Sequence, residues 1–302
     1  MKSNSLVQLS SRLALSLVAV VLAAGCAGNT AATAAPGSPS TEWGSAVNIG
    51  WFYIGDDGEE YGCGGGSGTL VGDTTTVLTA AHVVAWTSED EAECPGAQLW
   101  VGYPVEARGQ YFVWWKAEVT ASDDLLDIAL VSVDVSGAPD GADDAEGAIA
   151  SIRDGSWGSR PVAVEEFGPN LGDALHVLSY PGIGGYGITY TAGSAAGWAY
   201  INDEDSGKEF EYLKLDLTIA GGSSGAGVLN ERGELVGVVI QGGADWESDV
   251  VDCRKLADTN EDGEVDDTDT CIPFGGFINA ALSLYDVRVF LGQHGGLVEA
   301  QE

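Results

Sequence analysis

Two serines stand among small residues in the stretch GGSSGAG, residues 221–227, straight after the apolar run YLKLDLTIA. A loop that only had to turn would not need them. Ser224 is followed by Gly225 and lies two places after Gly222, so a sharp turn could aim its hydroxyl and the preceding amides at one point. A serine hydroxyl is a poor nucleophile until a neutral imidazole accepts its proton. The imidazole in turn needs a carboxylate to fix its tautomer and stabilise its charged form. Both partners are present: His82 ends the run TVLTAAH, where a strand would meet a loop, and Asp127 opens DIALVSV, whose strand could hold it rigidly. Gly222 leaves room for a substrate carbonyl, and its N–H with that of Ser224 could form an oxyanion hole.

Each residue alone has a bland explanation, since a lone His is most often structural, an Asp at a strand start a turn residue, and a Gly-Ser cluster a loop. The set carries the signal, because TAAH, DIAL and GSSGAG come in the order His, Asp, Ser, one of three known chain orders for the triad. Together these phrases resemble the trypsin-like (chymotrypsin-fold) serine peptidases over about residues 43–295. The resemblance implies an all-β fold of two six-stranded antiparallel β-barrels, set perpendicular, with the active site between them. It makes His82 the general base, Asp127 the orienting carboxylate and Ser224 the nucleophile, with Gly222 and Ser224 as the oxyanion hole. The implied activity is hydrolysis of peptide bonds through an acyl-enzyme, as a serine endopeptidase. The alternative is a catalytically silent trypsin-like domain that binds partners at the cell envelope, against which the intact set of three residues speaks.

Neighbouring phrases carry the same resemblance. SGTLVGDTTTVLTAAH is similar to the family's approach to its histidine, ALHVLSYPG to the strand that opens the second barrel, and GELVGVVIQGG to the strand behind the specificity pocket. By that likeness Thr218 belongs to the pocket, and Ile240, Gln241 and Gly242 would pair with substrate backbone by β-augmentation. Departures are informative. Ser223 stands where digestive members carry Asp, so no buried ion pair with a newly cut N-terminus can form. Thr218 stands where trypsin has Asp, and the His of glutamyl-specific relatives is missing near Ile240. A neutral, small or apolar side chain is the expected preference. The α/β-hydrolase elbow fits less well, because GxSxG requires Gly at position 226, which is Ala.

The elements that must position these residues read as strands. Short β-branched or aromatic runs such as AVNIGWFYIG, AQLWVGYPV, YFVWWKAEVTA and EYLKLDLTI recur between Gly, Asp and Pro clusters. One helical pattern stands out: FINAALSLYDVRVFL (277–291) begins extended and then places Leu282, Leu284, Val287, Phe290 and Leu291 at helical intervals. The expectation is an all-β domain ending in a helix.

A second motif, DTNEDGEVDDTD (258–269), sets Asp258, Asn260, Asp262, Glu264, Asp266 and Asp269 around Gly263 at intervals matching an EF-hand loop. Oxygen ligands so spaced could wrap a Ca²⁺, although the last is Asp and no strong helix precedes the loop. The bland reading is a solvated acidic insertion.

The N-terminal 25 residues read as an address. Lys2 and Arg12 precede the apolar run LALSLVAVVLAAGC, too short to span a bilayer comfortably but suited to a signal peptide. LAAGC resembles the bacterial lipobox, which would make Cys26 the lipidated N-terminus of an envelope protein, with Leu22 one place earlier than the favoured position. Residues 26–42, rich in Ala, Thr, Ser, Gly and Pro, read as a flexible tether, and 296–302 as a tail. With Cys26 set aside, Cys63, Cys94, Cys253 and Cys271 remain, and four thiols allow three pairings. Cys63 with Cys94 and Cys253 with Cys271 are favoured, each closing a local loop around a motif. Twelve Lys and Arg against 46 Asp and Glu give a net charge of −34, which argues against nucleic acid as a partner. Protein or peptide substrates and a membrane reached through the lipid anchor are the expected partners.

Overall fold

The computed structural model describes residues 43–295 apart from 56, 107–108, 138, 141–143, 183–186, 203–206, 208, 242–252, 255–271 and 274–277. The lipobox Cys26, the tether, Gly242, Cys271 and the acidic loop 258–269 therefore lie outside the described residues, all of which fall within one compact unit, Pro36–Glu302.

Two closed antiparallel barrels form, each of six strands. The first contains β1 (Ala46–Ile54), β2 (Glu60–Leu70), β3 (Thr76–Thr79), β4 (Gln98–Pro104), β5 (Phe112–Asp123) and β6 (Ile128–Val133), in the order β1-β2-β3-β6-β5-β4. The second contains β7 (Ala174–Ser179), β8 (Thr189–Asn202), β9 (Glu209–Asp216), β10 (Gly227–Asn230), β11 (Leu235–Gln241) and β14 (Asn279–Ser283), in the order β10-β11-β14-β9-β8-β7. Between β11 and β14, β12 (Cys253–Arg254) pairs with β13 (Ile272–Pro273) as a small ribbon.

Alternation decides which side chains fill each barrel, because successive residues of a strand face opposite sides. In β4, Leu99, Val101 and Tyr103 are buried; in β5, Val113, Trp115 and Ala117 are, while Lys116 is exposed. Tyr103 and Trp115, both fully buried, meet edge to face at 5.5 Å. The second barrel closes around Val177, Leu213, Leu215, Val228, Val239 and Ala281. A further apolar cluster belongs to neither interior: Leu78, Ile128 and Leu130 of the first barrel pack with Leu229, Leu235, Val238, Ile240 and Leu282 of the second. The C-terminal helix α4 (Leu284–His294) seals this seam with Val287, Phe290 and Leu291, and Gly295, at φ 84, takes the left-handed conformation that ends it. As the helical pattern implies, the chain is extended through Ser283 and helical after it; Leu282 falls in the strand.

Three short helices were not legible as periodic patterns. α1 (Ala81–Val84) is a single turn; α2 (Ser88–Glu93) buries no residue and is started by a capping box between Thr87 and Asp90. α3 (Ala145–Arg153) buries only Ala148 and Ile152 among its residues, behind an N-cap at Asp144. A single turn is too short to show a period, and helices that bury two side chains or none leave no apolar stripe to read.

Cys63 of β2 and Cys94, which ends α2, form a disulfide with Cα atoms 6.2 Å apart. It closes a 31-residue separation that contains β3 and α1. Loop closure of that size restricts the unfolded chain by roughly 3–4 kcal/mol. The backbone of Cys253 pairs with Pro273, next in sequence but one to Cys271, and Cys271, the expected partner of Cys253, lies outside the described residues.

Candidate active site

Strand register brings His82 and Asp127 together. β3 and β6 are antiparallel, with Thr79 opposite Ala129, so the chain three residues after Thr79 and the chain two residues before Ala129 leave the same end of the ladder. There α1 buries Ala81, Val83 and Val84 and leaves His82 at the surface. The helix is held from outside: the Trp51 indole N–H donates to the Val83 carbonyl at 3.2 Å, and its ring stacks on Trp86 at 4.3 Å.

Asp127 meets His82 at two points. Its Oδ1 accepts the His82 backbone N–H at 2.9 Å, and its Oδ2 lies 2.7 Å from Nδ1. With Nδ1–H donating to the carboxylate, Nε2 is the nitrogen left to accept a proton. Contrary to the sequence expectation, Asp127 is not held by a strand. It is the last residue of a turn before β6, with φ 53, the one non-glycine positive φ among the described residues. That conformation costs roughly 1–2 kcal/mol, and Asp is among the few residues that enter it. Both bonds to His82 and the fully buried Ile128 that follows offset the cost. The hydrogen bond to Asp127 and, less strongly, the charge of that carboxylate raise the His82 pKa above the ordinary 6.5, against the opposing effect of burial.

Around Ser224, each carbonyl has a named donor. Gly182 N–H reaches the Gly221 carbonyl at 2.9 Å, Ser67 Oγ–H the Gly222 carbonyl at 2.7 Å, Ala226 N–H the Ser223 carbonyl at 3.1 Å, and Ser67 N–H the Ser224 carbonyl at 2.9 Å. In a trans peptide the N–H points away from the preceding carbonyl, so fixing the carbonyls of Gly221 and Ser223 also aims the N–H groups of Gly222 and Ser224. Among the described residues these two N–H groups have no intramolecular acceptor, whereas that of Ser223 bonds Ala220. Gly222 has φ +95, and an added Cβ would lie 2.7 Å from the Tyr180 carbonyl oxygen, so no other residue fits. In place of a buried ion pair at position 223, the Ser223 hydroxyl shares a hydrogen bond with Ser179 at 3.1 Å, both side chains buried.

This turn, from the second barrel, sits against the strand that leads to His82. A Cβ on Gly225 would fall 2.1 Å from Thr79 Oγ1 and 2.9 Å from Ala80 N; one on Gly66 would fall 2.8 Å from Val83 and 3.0 Å from the Ser224 carbonyl oxygen. Only backbone without side chains allows that approach. Ser224 is half-buried and His82 exposed, so both open to solvent.

Of the expected pocket residues, Thr218 is exposed just after β9, and Ile240 is buried in the seam. Gln241 ends β11, where its backbone pairs with Ala280, and Gly242 lies outside the described residues. On the other side of β11 the ladder with β10 stops at Val238, after which Val239 bonds Gly225 and Ala226. Among the described residues no strand covers that side from Ile240 onward. Two residues that the sequence did not single out, Ser67 and Ser179, hold the serine turn. Their only signals were small residues next to glycine or a strand end. No group of three or more His, Cys, Asp or Glu with metal-binding geometry occurs among the described residues, and no described helix is long and apolar enough to cross a membrane.

Two closed barrels with a His-Asp pair on one and a glycine-flanked serine on the other define a chymotrypsin-like architecture. The family model "Trypsin-like peptidase domain" matches residues 66–238, more than half of the chain. The protein belongs to the trypsin-like peptidases, and its enzyme class is serine peptidase. No curated protein matches its sequence. In fold it is similar to Rv3671c from M. tuberculosis H37Rv, in the inactive form of a serine-to-alanine mutant, with a TM-score of 0.51 and 18% identity over 89% of this chain and 96% of that one. A second crystal structure, the inactive form of the Rv3671c protease, gives a TM-score of 0.49 and 17% identity over 85% and 93% of the two chains.

The raised His82 pKa has a sign that can be measured. His82 as the expected general base must be neutral to act, so kcat/KM should rise with pH along a limb lying above 6.5. Protonated His82 favours the fold; that stabilisation is fully present below 6.5 and is lost as pH rises through the higher folded value. Asp127→Asn should move the limb downward, remove this pH dependence of the melting temperature, and lower kcat by about 10⁴-fold. A pH–rate profile that leaves the limb in place would contradict the assignment.

Proposed function

We propose that this protein is an exported serine endopeptidase in which His82, Asp127 and Ser224 act as the triad. In this reading His82 Nε2 takes the Ser224 hydroxyl proton as Oγ attacks the scissile carbonyl. The N–H groups of Gly222 and Ser224 receive the oxyanion, and His82 passes its proton to the leaving amine. Water, activated by the same imidazole, then hydrolyses the acyl-enzyme. The observation that carries it is the two-point hold of Asp127 on His82, together with a serine turn packed against the end of β3 whose two aimed N–H groups have no acceptor among the described residues. Among the described residues no strand pairs with the β10 side of β11 at Ile240 and Gln241, which supports an extended peptide as substrate, bound by strand addition. Thr218, rather than a charged residue, favours a neutral side chain at the cleaved position.

A serine-directed peptidyl phosphonate tests the assignment. The wild-type protein should be labelled at Ser224. Ser224→Ala should abolish labelling and lower turnover by about 10⁶-fold without unfolding, and His82→Ala should be comparably inactive. An unlabelled wild-type protein would favour the silent binding domain.

Two further parts of the reading rest on sequence. The Cys63–Cys94 disulfide supports export, and LAAGC supports a lipid on Cys26 as the envelope anchor. Mass spectrometry of the mature N-terminus should find acyl chains there, and an unmodified Cys26 would remove the anchor. The carboxylate spacing of Asp258 to Asp269 supports a Ca²⁺ loop. The melting temperature should then climb with calcium concentration as a bound ligand requires, and a flat titration from chelator to millimolar calcium would leave a plain acidic loop.

A further inference from the structure

We propose that Ser67 is a positioning residue for the oxyanion site, an inference that rests on the peptidase reading above. Ser67 lies in β2 and is fully buried. Every polar group it has is engaged. Its N–H donates to the Ser224 carbonyl at 2.9 Å, its hydroxyl donates to the Gly222 carbonyl at 2.7 Å and accepts the Tyr180 N–H at 2.9 Å, and its carbonyl accepts the Thr79 hydroxyl at 2.8 Å. One residue of the first barrel thus joins the proposed nucleophile, the oxyanion glycine, the segment just after β7, and the strand that leads to His82.

The hydroxyl matters because of where Gly222 sits. Its left-handed φ of +95 makes it the most deformable link of the turn, and the peptides on its two sides are anchored separately: the Gly221 carbonyl by Gly182 and the Gly222 carbonyl by Ser67. Releasing the second anchor frees the Gly222–Ser223 peptide, which lies between the peptides that carry the Gly222 and Ser224 N–H groups, so the link that keeps those two N–H groups aimed at one point loosens. The hydroxyl acts in both directions at once, as donor to one side of the substrate-facing turn and acceptor from Tyr180, so alanine would leave the half-buried Gly222 carbonyl and the buried Tyr180 N–H without this partner. No side chain of Ser67 touches the substrate; its effect passes through Gly222.

Because an oxyanion exists only during reaction, loss of its aim should appear in kcat and not in ground-state affinity. Ser67→Ala should lower kcat for a peptide amide by about 10²-fold, change KM by less than about twofold, and weaken a peptide aldehyde, which forms a tetrahedral oxyanion adduct, by the factor lost from kcat/KM. Inhibition by the product peptide should stay unchanged. The isosteric pair Ser67→Thr and Ser67→Val covers the case in which Ser67→Ala fails to fold. Both add the same bulk, and only the first keeps the hydroxyl, so the valine protein should be slower in kcat by at least about tenfold. Equal kcat in that pair, or a folded Ser67→Ala protein with wild-type kcat or with aldehyde and product weakened alike, would overturn the proposal. Such results beside a wild-type protein labelled at Ser224 would sink only the role of Ser67; failure of that labelling would instead sink the peptidase reading.

Discussion

Everything at the site depends on the apolar seam between the barrels. His82 and Asp127 come from one barrel and Ser224 from the other, so their relation is set by how Leu78, Ile128 and Leu130 pack on Leu229, Val238, Ile240 and Leu282. Ile128 follows Asp127 directly, and Ile240 follows the Val239 that bonds Gly225. Apolar packing of this kind is dense and yields little, so a shift of one barrel would be felt as a shift of the serine turn against the histidine. The helix α4 adds Val287, Phe290 and Leu291 to the same seam, which gives a C-terminal element a structural stake in a site it never approaches in sequence.

On top of that seam, short polar contacts complete the alignment. Backbone approaches that only glycine permits, at Gly66, Gly222 and Gly225, let the turn lie against β2 and the end of β3. Hydroxyls then close the remaining valences: Ser67 to Gly222 and Tyr180, Thr79 to Ser67, Ser223 to Ser179. These are neutral groups, and a buried hydroxyl needs no charged partner to be satisfied. At position 223, where digestive relatives place an aspartate, the turn is held by the Ser223–Ser179 hydroxyl pair.

Much of this was legible in the sequence, for identifiable reasons. The strands showed because two-residue alternation, as in Leu99, Val101 and Tyr103, is dictated by pleat geometry. The C-terminal helix showed because it buries a full stripe. His82, Asp127 and Ser224 stood out as candidates because their residue types and chain order are rare in combination. The helices α2 and α3 did not, since they bury none or two of their own residues, and the left-handed turn at Asp127 did not, since its conformation is stabilised by bonds to a residue 45 positions away.

By itself, then, the sequence determined the alternation that makes barrels, the net charge of −34, and which His, Asp and Ser are the candidates for serine chemistry. Tertiary structure alone decided how they are aimed. Which carbonyl the Ser67 hydroxyl donates to, which nitrogen of His82 faces Asp127, and where the β10–β11 ladder stops are settled by contacts between residues as much as 155 positions apart. The physical reason is that a hydrogen bond depends on distance and angle to fractions of an ångström. Those are set by packing the two barrels together, and no local pattern encodes them.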